Sequence, residues 1–274
     1  QAKGLFKRGI MESGTSAAYL RTAKKSMERT EQIMEIYGVK NLFLSMTNGI
    51  QALIGELWAK QDREELNKTF RTTEWIIHTG TVFVFGCTAL LVLPFVKVYT
   101  LGIDDANYYQ PLFALLITIA HAGHCLRLPY SIMILAAGHY KQTQRSYIIA
   151  ASINIVISVV TVKIWGLIGV AIGTLAAMLY QTVWMSVYCS KNLLNNNFLN
   201  FVKQIMTDII EFCALYFAAY KLPLQNTSYI SWIVLAVETA VIGGVIIVAV
   251  NFILYRKNML SIINSVIKKR KKAI

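Results

Sequence analysis

Three side chains capable of chemistry recur at every third position of one apolar segment. His121, His124 and Arg127 lie in the stretch HAGHCLRLPY, and this spacing places them on one stripe of a helix. A guanidinium inside an apolar segment requires a water-filled cavity, a carboxylate partner or an anionic ligand such as a phosphate. We therefore predict that Arg127 binds an anionic ligand and that His124 and His121 line the same cavity. A structural ion pair is the alternative for Arg127.

The two histidines have a spacing that could also hold a metal ion. No Asp or Glu joins them, however, and the adjacent Arg127 would repel a cation, so we expect neither a metal nor a cofactor. A protonation-sensitive site or plain hydrogen bonding between helices remains open for them. Gln51 and Asn154 are neutral polar residues in other apolar segments. They are predicted to contact a ligand such as a sugar, with hydrogen bonds to neighbouring helices as the alternative.

Acidic residues also fall inside apolar segments. Asp208 and Glu211 share a helix face, and Glu238 lies further along the chain. They could pair with neighbouring side chains or carry protons, and an interfacial position is favoured for Asp208. His78 is likewise expected at the membrane interface.

The composition indicates which elements hold these residues. Of 274 residues, 55% are hydrophobic and 15% are charged, with a mean hydropathy of +0.50, whereas soluble domains have roughly 45–50% and 25%. This excludes a cytosolic globular enzyme and a disordered chain, and four scattered cysteines are too few for a disulfide scaffold. The net charge of +13 lies between apolar runs, which favours a membrane rather than a nucleic acid as partner.

The chain is therefore predicted to be an all-α, polytopic membrane protein. A helix needs about 20 apolar residues to cross the hydrocarbon core. Seven segments satisfy this: 39–58, 75–97, 110–138, 146–165, 167–189, 202–221 and 229–255. Pro129 is expected to kink the third segment rather than split it, although a split is possible. Glycines at 166, 169 and 173 are predicted to let a neighbouring helix approach the fifth.

The distribution of Lys and Arg predicts the orientation. Fifteen lie on one alternating set of connections and three on the other, which places the C-terminal tail, 256–274, in the cytoplasm. Residues 1–37 would then lie outside although they carry seven positive charges. Either earlier spans are missing, or residues 17–37 form an amphipathic helix on the membrane surface.

Several runs resemble a known family of transporters. The segments GIQALIGELWAKQDREELNKTF, LPFVKVYTLGIDDANYYQPLFALL, AAGHYKQT and GLIGVAIGT, within residues 37–203, are similar to bacterial polysaccharide flippases of the O-antigen and capsule type. These flippases belong to the multidrug/oligosaccharidyl-lipid/polysaccharide exporter superfamily. The resemblance implies two six-helix lobes around a cavity. Residues 38–200 would be part of the second lobe, and residues 201–255 would be two appended helices.

The resemblance also implies the function. An undecaprenyl-diphosphate-linked oligosaccharide would cross the cytoplasmic membrane by alternating access, and the partners would be membrane lipids and the missing first lobe or a second copy. A drug/cation antiporter of the same superfamily is the first alternative, with Glu238 or Asp208 carrying the coupling proton. A membrane-embedded polysaccharide polymerase or acyltransferase is the second, but the short loops and the lack of Walker A, H-E-x-x-H and G-x-S-x-G motifs favour a protein that is not an enzyme. A non-functional remnant is a further possibility.

Overall fold

The structure is a computed structural model that describes residues 39–103, 107–194, 198–222, 227–256 and 258–260, with side chains from residue 49 onward. The chain divides into two compact units, Gln1–Ile50 and Gln51–Ile274. The described part of the first unit is helical. The predictions for residues 1–37, and most of those for the basic tail, lie outside the described residues.

The described part of the chain consists of α-helices joined by turns, without a strand. The helices are α1 (Val39–Ala59), α2 (Arg63–Tyr99), α3 (Pro111–Leu126), α4 (Leu128–Ala136), α5 (Tyr140–Trp165), α6 (Leu167–Asn192), α7 (Leu199–Ala219) and α8 (Tyr229–Leu254). The predicted all-α class is therefore confirmed for this part of the chain.

Five of these helical segments are long and apolar enough to cross a membrane. They are α2, α3 together with α4, α5, α6 and α8. The two remaining predicted spans correspond to α1 and α7, which do not reach the same apolar character. In α7 the reason is visible in the sequence, because Lys203, Asp208 and Glu211 interrupt it. The structure thus indicates a membrane-embedded protein, while seven spans remain a prediction.

The exposed surface of α5 has the character expected of a lipid-facing helix. Ile155, Val156 and Val159 each expose more than half of their surface. Soluble monomers rarely expose a continuous apolar face of this kind. Contact with lipid or with another apolar chain would remove such a surface from water.

Helix α2 begins twelve residues before the span predicted from the apolar run. The carboxylate of Asp62 accepts a hydrogen bond from the backbone N–H of Glu65 (3.2 Å), which caps the helix start. Glu64 and Glu65 occupy the first turn, where acidic side chains interact favourably with the positive end of the helix dipole. The connection between the first two predicted spans, residues 59–74, has a helix-forming sequence and is mostly helix in the structure. Helix α2 continues from these polar first turns directly into the apolar span.

Helix α2 lies at the centre of the second unit. It packs against α3 and α4 on one side and against α7 and α8 on another, while α6 packs on α3, α4 and α5. At the meeting point of α2, α7 and α8, the fully buried Leu215 contacts Cys87 and Ala219. A Cβ at Gly86 would lie 2.6 Å from the Leu215 side chain, so glycine permits this close approach.

The predicted glycine contact of α6 is confirmed, and its partner is α5. A Cβ at Gly169 would overlap the backbone of Thr161, and one at Gly173 would lie 2.9 Å from the carbonyl oxygen of Asn154. The hydroxyl of Thr161 also donates to the carbonyl oxygen of Gly169 (2.9 Å). Small residues thus allow two transmembrane helices to pack backbone against backbone.

Candidate functional site

Arg127 lies at the break between α3 and α4. Pro129 is the second residue of α4 and has no backbone N–H to donate to the preceding turn. The backbone nevertheless remains nearly helical, because Arg127 donates to Gly123 (3.2 Å) and accepts from Ser131 (3.1 Å). The two helices together form one span candidate. The structure therefore has one candidate span interrupted at Arg127, and not two separate spans, while a kink at Pro129 remains a prediction.

The guanidinium of Arg127 is buried and incompletely bonded. Only 8% of the residue is exposed. Its Nη2 donates to Nδ1 of His124 (2.7 Å), and Nη1 has no hydrogen-bond partner among the described residues. Because an arginine can only donate, Nδ1 of His124 must be the acceptor, which requires that this nitrogen carry no proton.

A second unpaired donor lies on the helix that packs against this segment. Nε2 of Gln181, on α6, is buried without a partner in the described part of the chain. The next residue, Thr182, donates its hydroxyl to the carbonyl oxygen of Gly123 (2.9 Å), one turn before Arg127. Buried polar groups are nearly always hydrogen-bonded in native proteins, so unpaired donors call for a physical reason.

The structure joins only two of the five predicted ligand-binding residues. His124 and Arg127 are hydrogen-bonded to each other, whereas His121 is exposed. Asn154 is half-buried and accepts a hydrogen bond from Ser158 on its own helix (3.1 Å). Gln51 is half-buried on α1. For Asn154 the structure therefore shows a bond within its own helix, which is neither the predicted ligand contact nor the alternative bond to a neighbouring helix. No hydrogen bond links Gln51 to Arg127 within the described residues.

A separate polar cluster lies between α2 and α7. Nδ1 of His78 lies 2.6 Å from a carboxylate oxygen of Asp208, and both residues are buried. The other carboxylate oxygen accepts from Gln204 (3.3 Å). His78 has no exposed surface, because α2 and α7 enclose it.

Helix α8 extends this cluster through Asn251. The amide of Asn251 donates to Glu211 (2.6 Å) and accepts from the indole N–H of Trp75 (2.5 Å). A third buried carboxylate, Glu74, accepts a hydrogen bond from the hydroxyl of Tyr130. Each buried carboxylate of the cluster therefore has a polar partner, as burial of such groups requires.

The sequence contains a signal for this cluster in the spacing of its polar residues, which the length of an apolar run does not show. Glu74 and His78 are four residues apart on α2, and Gln204, Asp208 and Glu211 follow spacings of four and three on α7. Both sets therefore form single-sided polar stripes, which are the pattern of two helices that pair through their polar faces.

An open cavity of about 490 Å³ adjoins this cluster and shares Glu74, Trp75 and Gln204 with it. It is formed where α2 and α7 begin and α8 ends. Its lining residues are Asn67, Lys68, Arg71, Thr72, Glu74, Trp75, Asn200, Lys203, Gln204, Tyr255 and Asn258. None of them belongs to the predicted ligand-binding set.

In the part of the chain that the structure describes, no three His, Cys, Asp or Glu side chains are arranged so that together they could hold a metal ion. Comparison of the chain with protein-family models, with curated proteins and with solved structures gave no match, so the function must be argued from the geometry of these sites.

Proposed function

We propose that this protein moves a lipid-linked oligosaccharide, carried on undecaprenyl diphosphate, across the cytoplasmic membrane for surface polysaccharide synthesis. In this proposal the transport proceeds by alternating access, and the C-terminus lies in the cytoplasm. The observation that carries the proposal is the buried guanidinium of Arg127, whose Nη1 has no partner among the described residues.

Arg127 differs from the other buried charged residues in what surrounds it. Glu74, Asp208 and Glu211 each bond to a neighbouring side chain that reduces the cost of burial. The described partner of Arg127 is His124, which accepts one hydrogen bond and brings no negative charge. A diphosphate would supply both the charge and the additional acceptors, since a guanidinium bonds phosphate oxygens through two parallel donors.

The helix break supports the movement that transport requires. Kinked or discontinuous helices commonly hold the substrate sites of secondary transporters, near the middle of the membrane. Here the break coincides with the proposed ligand-binding residue. A change of bend at Pro129 would therefore move the Arg127 guanidinium relative to α6.

A partner lobe or a second copy of the chain belongs to the proposal. Glu238 lies on an exposed face of α8, beside the exposed Val234, Val237 and Val241. A carboxylate in an apolar face within a membrane is costly unless another element faces it. The described chain would then form part of a larger transporter.

Reconstituted transport tests this function. The full gene product would be placed in proteoliposomes, and translocation of a fluorescent undecaprenyl-diphosphate oligosaccharide would be measured for Arg127→Ala and Arg127→Lys. We expect at least a tenfold slower rate for Arg127→Ala, because one charged hydrogen-bonding group contributes about 1.5–3 kcal/mol. Arg127→Lys should have an intermediate rate, since lysine retains the charge but lacks the two parallel donors of the guanidinium.

Arg145→Ala is the matched control, because Arg145 is an exposed cation near the start of α5. It should transport at the wild-type rate. Unchanged transport by both Arg127 variants would reject the site, and absence of translocation by the wild-type protein would reject the function.

A proton-coupled drug/cation antiporter is the second candidate function, and the pair of His78 and Asp208 favours it. This buried pair could release a proton when a cation binds and take up a proton when the cation leaves, because imidazole and carboxylate groups serve as proton relays in transporters. The test is uptake of a cationic dye driven by an imposed pH gradient. Dye transport that is lost in Asp208→Asn, together with no translocation of lipid-linked sugar, would establish this candidate instead.

A further inference from the structure

The cavity between α2, α7 and α8 has a rim that is rich in positive charge. Lys68, Arg71 and Lys203 line it and are exposed. Lys68 also forms an ion pair with Glu65 (3.2 Å), but 73% of its side chain remains exposed. The rim can therefore present cationic groups to a ligand from two helices.

The floor of the cavity is polar and buried. Glu74 is the only acidic residue among those that line it, and this carboxylate already accepts a hydrogen bond from Tyr130. Gln204, whose amide already donates to Asp208, also lines the cavity, and Asn67, Asn200 and Asn258 add further amides. Such groups suit the hydroxyl and ester oxygens of a headgroup.

Two aromatic residues form one wall. Trp75 and Tyr255 have ring centroids 6.4 Å apart and planes inclined by 37°. The indole N–H of Trp75 is occupied by Asn251, so its ring contributes an apolar surface to the cavity. Tryptophan and tyrosine are enriched at the level of lipid headgroups for this combination of properties.

An apolar strip leads away from the rim. Lys203 is followed at helical spacing by Met206 and Ile210, which expose 53% and 51% of their surfaces. Residues three and seven positions apart lie on the same side of a helix. A ligand with a phosphate at Lys203 could therefore extend an acyl chain along α7, which a free phosphate cannot do.

We propose that this cavity binds the phosphate-bearing headgroup of an anionic glycerophospholipid, with its acyl chains lying on the exposed face of α7. Basic pockets between transmembrane helices bind such headgroups, and the volume of about 490 Å³ lies in the range of small-ligand sites. The site involves neither Arg127 nor His124, so it stands independently of the proposed transport function.

Lipid retention measured by native mass spectrometry tests this proposal. The purified protein would be titrated with dioleoylphosphatidylglycerol and, separately, with dioleoylphosphatidylcholine, which has the same chains and no net charge. The test variant is Arg71→Gln combined with Lys203→Gln. The control is Lys141→Gln combined with Lys191→Gln, which removes two exposed cations outside the cavity.

We expect the wild-type protein and the control to retain phosphatidylglycerol in preference to phosphatidylcholine. The test variant should bind phosphatidylglycerol about twenty-five-fold more weakly, because each of the two cations near a lipid phosphate contributes about fivefold. Equal thermal unfolding of the two double variants would show that the difference is not a folding defect.

Three results would overturn the proposal. The test variant could bind phosphatidylglycerol as tightly as the wild type, or the control could lose as much affinity as the test variant. The third result is displacement of the lipid by an equal concentration of glycerol 1-phosphate, which would assign the site to a soluble phosphate. Each of these outcomes can be read whether or not the protein transports a lipid-linked sugar.

Discussion

The imidazole of His78 and the carboxylate of Asp208 are in direct contact, with 2.6 Å between Nδ1 and Oδ2, although the residues lie 130 positions apart in the chain. Their side chains expose 0% and 7% of their surfaces. The contact joins α2 to α7 through a buried polar bond. It therefore fixes the pairing of these two helices in a way that apolar contacts alone would not.

Removal of one partner from this contact should be costly. Asp208→Ala leaves His78 and Gln204 without an acceptor, and loss of one member of a buried pair typically costs about 3 kcal/mol of the free energy of unfolding. Asp208→Asn should cost less because the amide still accepts a hydrogen bond. Thermal unfolding in detergent would measure both, with Glu64→Ala, an exposed acidic position, as control. Equal stability of Asp208→Ala and Glu64→Ala would show that the pair does not hold the helices.

The close packing of α5 and α6 predicts a contrast between two glycines. Gly169→Ala places a Cβ against the backbone of Thr161 and should lower the free energy of unfolding by about 1–3 kcal/mol through overpacking. Gly244→Ala meets nothing within 4 Å and should be neutral or slightly stabilising, since alanine favours helices over glycine. Unfolding midpoints of the two variants would check this, and a loss in Gly244→Ala as large as in Gly169→Ala would argue against the contact.

The bond from Trp75 to Asn251 predicts a specific loss. Trp75→Phe keeps a ring but removes the indole donor, which leaves Asn251 Oδ1 with only a longer bond of 3.4 Å from Thr79. The expected cost is about 1–2 kcal/mol of the free energy of unfolding, as for other unmade buried hydrogen bonds. Trp165→Phe, at a position that is 54% exposed, should cost much less. If the two substitutions lower the free energy of unfolding equally, the buried hydrogen bond does not stabilise the protein.

The charge distribution predicts opposite sides of the membrane for the two ends of α2. With the four native cysteines replaced by alanine, Lys68→Cys should react with an impermeant maleimide only from the cytoplasmic side. Leu101→Cys should react only from the opposite side, because a single span separates the two positions. Labelling of intact cells and of inverted vesicles would distinguish them. Reaction of both positions from one side would mean that α2 does not cross the membrane.

Hydropathy predicted the apolar helices well because burial in lipid imposes length and composition on each segment separately. The segments 167–189 and 229–255 closely match α6 and α8, whereas α5 begins six residues before the predicted segment 146–165. Residues 63–74 are polar but helix-forming, and their cap at Asp62 is visible in the sequence. Hydropathy does not predict that this helix continues into the apolar span, because that depends on the burial of Leu66 and Phe70 in the folded protein.

At the candidate sites too, contacts between residues close in sequence could be predicted, whereas contacts between distant segments could not. The contact of His124 with Arg127 follows from a spacing of three along one helix, so the sequence could predict it. The contact of His78 with Asp208 joins distant segments, and no periodicity within either segment identifies its partner. The polar stripe of α7 indicated that a polar partner existed, but its identity required the packing of α2 against α7.

A binding measurement tests most directly whether Arg127 holds the lipid diphosphate. The dissociation constant of an undecaprenyl-diphosphate oligosaccharide would be measured for the wild-type protein and for Arg127→Gln, with Arg145→Gln as control. We predict at least a tenfold weaker affinity for Arg127→Gln alone, because the buried guanidinium loses its bond to the diphosphate. Equal affinities for all three proteins would contradict the assignment of Arg127 as the residue that binds the substrate.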